Sequence, residues 1–352
     1  MENDKPRIME KNLNFMINRK SFFIEILQLM KSHYKLNAKY KKFLDNSSIK
    51  LNTIKKIENL PFLHINIFKF HSLVSGSFKK VVTKLSSSGT SGQRKSTIYL
   101  DKQNVILQKK TLLNLLKQNI SKERLPMVIL DKNPNFIDKS HYSAKIAAIY
   151  GFSLIGKNYF YLIKKNGQID YQGFNKFLKK NKYKKIFLFG FTYDVFINLI
   201  KNFKQNIKIN LNNSILLHGG GWKKMEGLKI SKSSFKSKLR KKFNIKKIIN
   251  YYGVVEQTGS VFFECDECNK LITNQYADVI IRNTNLDPCD NNEQGLIQLL
   301  STVPRSYPGN SILSEDLGIL YKNKCKIHKK YKSFGVLGRI KKVEVRGCSD
   351  AN

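Results

Sequence analysis

The sequence predicts an α/β fold: a mainly parallel sheet covered by helices, with a smaller β-rich subdomain toward the C-terminus. Between about residue 79 and residue 252, short apolar runs alternate with helix-like stretches, the order expected of strands joined by crossover helices. After Gly253 the helical patterns give way to β-rich runs separated by Pro, Gly and Asn turns. With 352 residues, 41% of them hydrophobic, the chain can bury one large or two intimate cores.

Residues 1–50 read as a helical N-terminal layer, because Phe15, Phe22, Ile26 and Met30 recur at helical spacing over residues 12–45. Residues 51–260 form the α/β core. It opens with strand-like Val81–Leu85, a Ser/Gly loop, a short strand Thr97–Leu100 and a helix capped by Asp101 that runs through Leu116. Further strands are expected at Met127–Leu130, Ile186–Phe189, Ile215–Leu217 and Ile248–Tyr252. Helices are expected over 141–150, 170–180, 192–203 and 233–243. Residues 261–352 make the β-rich part, with runs at Val279–Ile281, Leu296–Ser301, Ile319–Tyr321 and Val343–Arg346, and end in a short arm bearing Cys348.

The formal charge of +39, from 64 Lys+Arg against 25 Asp+Glu, is what a nucleic-acid binder would show. The lysines are spread over the whole chain in short runs such as Lys79–Lys80 and Lys246–Lys247, mixed with Asn and Ile. A dedicated binding arm concentrates its charge, and no zinc-finger, basic-zipper or aromatic RNA-binding signature is present, so no specific nucleic-acid partner is expected. The best apolar run near the N-terminus, Ser21–Met30, is interrupted by Glu25, so neither a secretion signal nor a membrane span is expected. Five widely separated cysteines point to reduced thiols and a cytoplasmic protein.

Residues 86–96 read SSSGTSGQRKS between two strand-like runs. Backbone N–H groups beside Gly89 and Gly92 would wrap a phosphate, with hydroxyls and the charges of Arg94 and Lys95 adding to it. The segment is neither a Walker A loop nor a dinucleotide-binding turn, and alone it equally suits a flexible loop. Three later segments fall in order behind it: HGGGWKK at 218–224, YYGVVEQTGS at 251–260 and SEDLG at 314–318. Together the four resemble the adenylate-forming superfamily of acyl-CoA synthetases, luciferases and peptide-synthetase adenylation domains. The runs SYPGNSILSEDLG (306–318) and FGVLGRIKKVEVRGCSD (334–350) narrow the likeness to the acyl-protein synthetase (LuxE-type) family, over roughly residues 50–352.

That resemblance implies the large-domain architecture of adenylate-forming enzymes and a two-step reaction, in which a fatty (long-chain) carboxylate and ATP first give acyl-adenylate and pyrophosphate. The acyl group then passes to an enzyme cysteine or a partner protein, such as an acyl reductase or carrier. It implies that Ser87, Ser88, Gly89, Thr90, Ser91, Gly92 and Lys95 hold the β and γ phosphates, and that Gly219, Gly220 and Gly221 let the base lie against backbone. Tyr252 would stack on adenine, Glu256 would bind Mg²⁺, and Asp316 and Arg339 would hold the ribose. Superfamily members usually carry a further lid domain of ~100 residues with a catalytic lysine. The resemblance implies that this lid is lacking, with Lys223 or Lys224 beside Trp222 as the candidate replacement charge. Many members carry an acidic residue after the Gly338–Arg339 pair, where this chain has Ile340–Lys341–Lys342.

For the acyl pocket, Phe187, Phe189, Phe191, Tyr193 and Phe196 suit a lipid-tunnel wall and core packing equally. Cys265-x-x-Cys268 and Cys325-x-x-His328 have the ligand types and local spacing of a structural zinc site, with ordinary packed cysteines as the other reading. Cys348, between Arg346–Gly347 and Ser349–Asp350, is the expected nucleophile, because a neighbouring guanidinium favours thiolate. Two rival functions stay open at this stage: an acyl- or aryl-CoA ligase of the same superfamily, and a basic nucleic-acid-binding module.

Overall fold

The computed structural model describes residues 19–87, 94–136, 144–220, 230–323 and 325–340. The helical N-terminal layer is α1 (Arg19–Leu36) and α2 (Ala38–Asn46), with Asn37 capping α2 by accepting the Tyr40 N–H. Phe22, Ile26 and Met30 stack along the inner face of α1. They meet Leu60, Leu63, Ile280, Leu300, Tyr307 and Ile312, so the layer covers strands from the far end of the chain. Next come β1 (Leu63–His64), the one-turn helix α3 (Ile67–Phe70), and an antiparallel ribbon of β2 (Val81–Ser86) and β3 (Thr97–Asp101).

The core begins with α4 (Lys102–Asn119), capped as expected by Asp101, whose Oδ1 accepts the Asn104 N–H at 2.7 Å. There follow β4 (Leu125–Lys132), α5 (Ala144–Phe152), β5 (Gly156–Ile163), α6 (Tyr171–Lys180), β6 (Ile186–Phe191), α7 (Thr192–Val195), β7 (Ser214–Gly219), α8 (Lys232–Phe243) and β8 (Lys247–Tyr252). These strands lie parallel in the order β5-β4-β6-β7-β8. Alternate residues of each strand feed two different cores. Val128, Leu188, Leu216 and Ile248 pack under α6 and α8, while Ile129, Phe189, Leu217 and Ile249 pack under α4 and α5. Burial on both faces is why these strands read as continuous apolar runs.

The helix expected over 192–203 is broken: α7 ends at Val195 and a π turn follows over Phe196–Lys201. The Asn202 N–H reaches back to the Ile197 carbonyl at 2.8 Å, and Asn198 Nδ2 donates to the Leu130 carbonyl at 3.0 Å. The wider turn therefore ties the segment to β4.

Beyond β8 the same sheet continues with antiparallel strands: β9 (Phe262–Glu264), β10 (Leu271–Ile272), β11 (Ala277–Arg282), β12 (Gln294–Ser301), β13 (Ser311–Leu320) and β14 (Ser333–Arg339). Their order from the outer edge inward is β11-β12-β13-β14-β10-β9-β8, and β1 adds to β13 in parallel. Hydrogen bonding thus runs unbroken across residue 260. The strand expected at Ile319–Tyr321 is the tail of the longer β13, and the one expected at Val343–Arg346 lies outside the described residues.

Candidate active site at the carboxyl ends of the parallel strands

Ligands of open parallel sheets bind beyond the carboxyl ends of the strands, and the predicted residues gather there. Asp316 on β13 and Arg339 on β14 are direct cross-strand partners. Arg339 Nε donates to Asp316 Oδ1 at 3.0 Å, and Tyr252, the last residue of β8, donates its hydroxyl to Asp316 Oδ2 at 2.7 Å. Asp316 therefore sits within a strand, with a register shift between Leu317 and Gly318, and is not the turn residue its neighbour Gly318 would allow. Burial, then the Asp316 carboxylate, pushes the Tyr252 phenol well above its ordinary value, so it stays a donor at any physiological pH. The Tyr252 ring stacks on Phe262, centroids 6.3 Å apart, and meets Phe334 edge-on at 6.2 Å.

Glu256 lies in a short 3₁₀ turn after β8 and is only 3% exposed. Burial raises its carboxyl, while a hydrogen bond from Ser96 and the charges of Arg339 and Lys69 pull the other way. Ser96 closes the Ser/Gly loop: its N–H donates to Ser87 Oγ at 3.0 Å, and the Ser87 N–H donates to the Ser96 carbonyl at 2.9 Å. The stem of the loop is thus pinned beside the Glu256 carboxyl. Ser88, Gly89, Thr90, Ser91 and Gly92 at its tip lie outside the described residues. Lys95 is exposed, and Arg94 lies over the Phe70 ring at 5.6 Å.

Gly219 and Gly220 end β7, and the space their side chains would take is already filled by protein. A Cβ at Gly219 would lie 2.4 Å from the Tyr251 ring, and one at Gly220, where φ is +74°, would lie 2.6 Å from Phe191. Gly221, Lys223 and Lys224, and the proposed nucleophile Cys348, lie outside the described residues. Of the aromatic stretch, Phe187, Phe189 and Phe196 are core residues, and Phe191 and Tyr193 pack at its margin.

A charged cluster that the sequence reading missed lies at the same edge. Lys145 on α5 bridges Asp131 at the end of β4 (2.6 Å) and Asp194 on α7 (2.8 Å), with its ammonium 5.7 Å from the Phe191 centroid. Burial lowers the Lys145 ammonium, but the two carboxylates outweigh it and raise it. Phe191 in turn faces Gly220. Three residues so far apart in a lysine-rich chain carry no local signal. His218, two residues before Gly220, is buried, with Nδ1 3.0 Å from the Thr192 hydroxyl.

The four metal-type side chains also meet. The Cys265 and Cys325 sulfurs are 3.6 Å apart, His328 Nδ1 is 3.3 Å from Cys325, and Cys268 packs against the cysteine pair. No helix among the described residues is long and apolar enough to cross a membrane.

A Ser/Gly-loop stem beside a buried glutamate, and a Tyr–Asp–Arg constellation at the end of a helix-covered parallel sheet, are the arrangement expected of an adenylate-forming enzyme. Solved structures agree on the fold. An open conformation of 2-hydroxyisobutyryl-CoA ligase, in complex with 2-HIB-AMP and CoA, superposes with a TM-score of 0.71 at 9% identity, covering 94% of this chain and 75% of that one. ATP-bound MatB from Rhodopseudomonas palustris superposes at 0.51 with 12% identity, over 76% of this chain and 49% of that chain. This chain thus spans about half of MatB. A comparison with curated proteins gives no match. The model of the family "Acyl-protein synthetase, LuxE" matches residues 11–352, and the chain belongs to that family. It is an ATP-dependent, AMP-forming acyl ligase that takes a carboxylate substrate and an acyl acceptor.

Proposed function

We propose that the chain activates a long-chain fatty carboxylate with MgATP and then carries the acyl group on Cys348. A carboxylate is a poor electrophile because oxide is a poor leaving group. Attack of its oxygen on the α-phosphorus of ATP, with release of pyrophosphate, gives an acyl-adenylate whose leaving group is AMP. The observation that carries this reading is the pairing of a pinned loop stem, Ser87–Ser96, with the Glu256 carboxyl. A buried carboxylate oxygen next to a phosphate loop suits Mg²⁺, a hard cation that would offset phosphate charge. Asp316 would accept from the ribose hydroxyls, with the half-exposed Arg339 beside it and Tyr252 orienting the carboxylate. Lys223 is the residue proposed to supply the charge of the usual lid lysine.

In the second step the Cys348 thiolate attacks the acyl carbon, the bond to the AMP oxygen breaks, and a thioester forms that an acyl reductase or carrier protein then accepts. In the sequence Arg346 stands two residues before it, where a guanidinium would favour the thiolate, and Gly347 would leave the backbone free to present it.

Carboxylate-dependent ATP–pyrophosphate exchange tests the first step. Glu256→Gln is expected to slow it by on the order of 10²-fold or more, and wild-type exchange in that variant at limiting Mg²⁺ would sink the assignment. Cys348→Ser is expected to keep exchange but to lose hydroxylamine-labile acyl label. Label that persists places the covalent step elsewhere, and release of acyl-CoA favours the CoA-ligase reading.

A further inference from the structure

We propose that Cys265, Cys268, Cys325 and His328 bind one structural zinc ion that staples the β9–β10 turn to the loop entering β14. Three donors, Cys265, Cys325 and His328, lie within 4.8 Å of one another although the two segments are separated by 56 residues of sequence, and Cys268 packs against the cysteine pair as the fourth. A tetrahedral centre with Zn–S bonds of about 2.3 Å and a Zn–N bond of about 2.0 Å holds its ligand atoms roughly 3.5–3.8 Å apart. The observed separations of 3.6 Å for Cys265 to Cys325 and 3.3 Å for Cys325 to His328 fit that frame. They are far too long for a disulfide, and all four thiols described in the structure are free.

The backbone around the cluster is arranged for thiolates. The backbone N–H groups of Ile327 and His328 lie near the Cys325 sulfur, and that of Lys270 near the Cys268 sulfur. Such N–H···S bonds stabilise negative sulfur, and the nearby Lys270, Lys326, Lys329 and Lys330 offset the net negative charge of a three-thiolate, one-histidine centre. The other reading, three thiols packed as small apolar groups, explains neither these donors nor the imidazole nitrogen turned toward sulfur. Tetrahedral sulfur–nitrogen coordination selects zinc over magnesium or calcium.

The staple has a mechanical target. The Cys325 N–H donates to Ser333 Oγ at 3.1 Å, so the metal loop is tied to the first residue of β14. On the other side, Glu264, next to Cys265, forms a buried ion pair with Lys236 of α8, which also holds Asn269. β14 then pairs with β13 and ends at Arg339. Zinc would therefore fix the strand that presents Arg339, without touching the active site.

The first experiment is elemental analysis of the full chain purified without chelator, followed by cobalt substitution of the wild type. One zinc per chain is expected, together with thiolate-to-cobalt charge-transfer bands in the near ultraviolet. Cys265→Ser/Cys268→Ser is expected to lose the metal and to melt ~5 °C or more below the wild type, while Cys289→Ser, at a cysteine outside the cluster, keeps both. If the double variant does not fold, chelation of the wild type gives the same comparison: release of one zinc with a fall in melting temperature. Metal-free wild type of full thermal stability, a Cys265–Cys325 disulfide in the purified protein, bound iron, or full zinc occupancy in a folded double variant would each overturn the proposal.

Discussion

His218 and His33 show what single residues contribute to the behaviour of this protein in acid. Burial first, then the charges of Lys236 and Lys232, holds the His218 imidazole down to about 3, and burial holds His33 down to about 4. Both values lie below the ~6.5 of an unfolded chain, so the unfolded state takes up protons that the native state refuses. Stability is then full above about pH 6.5 and falls as pH drops toward the folded values, by roughly 2 kcal/mol for each histidine at pH 5. Urea unfolding of the wild type at pH 7.5 and pH 5.0 should show that loss, and His218→Gln should lose about 2 kcal/mol less between the two. An undiminished loss in the variant would mean that His218 is not a source of the acid sensitivity. Its Nε2, buried without a hydrogen-bond partner among the described residues, is the atom the added proton would strand.

At the scale of the element, the end of β7 is the informative case. Gly219 faces the Tyr251 ring and the Tyr251 carbonyl closely enough that a methyl group has nowhere to go. Gly219→Ala is therefore expected to cost about 1–3 kcal/mol by overpacking, read as a lower denaturation midpoint at an unchanged slope. Loss of pyrophosphate exchange at an unchanged midpoint would instead show that the glycine serves the nucleotide. The sequence made β7 legible, because Ile215–Leu217 is buried on both faces, yet it could not say which ring occupies the space beside Gly219. The same division holds elsewhere. Asp101 announced the start of α4 through a local hydrogen bond, whereas the π turn after Val195 depends on Asn198 finding the Leu130 carbonyl. Tyr252, Glu256 and Asp316 were legible because each stands in a short ordered motif. Lys145 was not, since its partners Asp131 and Asp194 come from other elements. The Cys265–Cys268 and Cys325–His328 pairs were readable as pairs, and only the pairing of β10 with β14 shows why they meet.

For the whole molecule, one continuous sheet joins the parallel strands to the antiparallel ones, so the site is built where strand direction reverses between β8 and β9. That reversal was foreshadowed after Gly253, where helical patterns stop. The docking of the N-terminal layer was not foreshadowed, because Phe22, Ile26 and Met30 reveal an apolar face without revealing its partner. The partner includes Leu300, Tyr307 and Ile312, about 280 residues further along the chain. A ribosome adding ~5–20 residues per second needs tens of seconds to deliver those strands. Throughout that interval α1 and α2 can pack on each other and on Leu51, Leu60 and Leu63, but the part of their apolar face that belongs against Leu300, Tyr307 and Ile312 stays uncovered, while the parallel core can already fold. The seating of α1 and α2 is thus completed only late, and the part of their apolar face that waits for the C-terminal strands is where a chaperone would be most needed during synthesis.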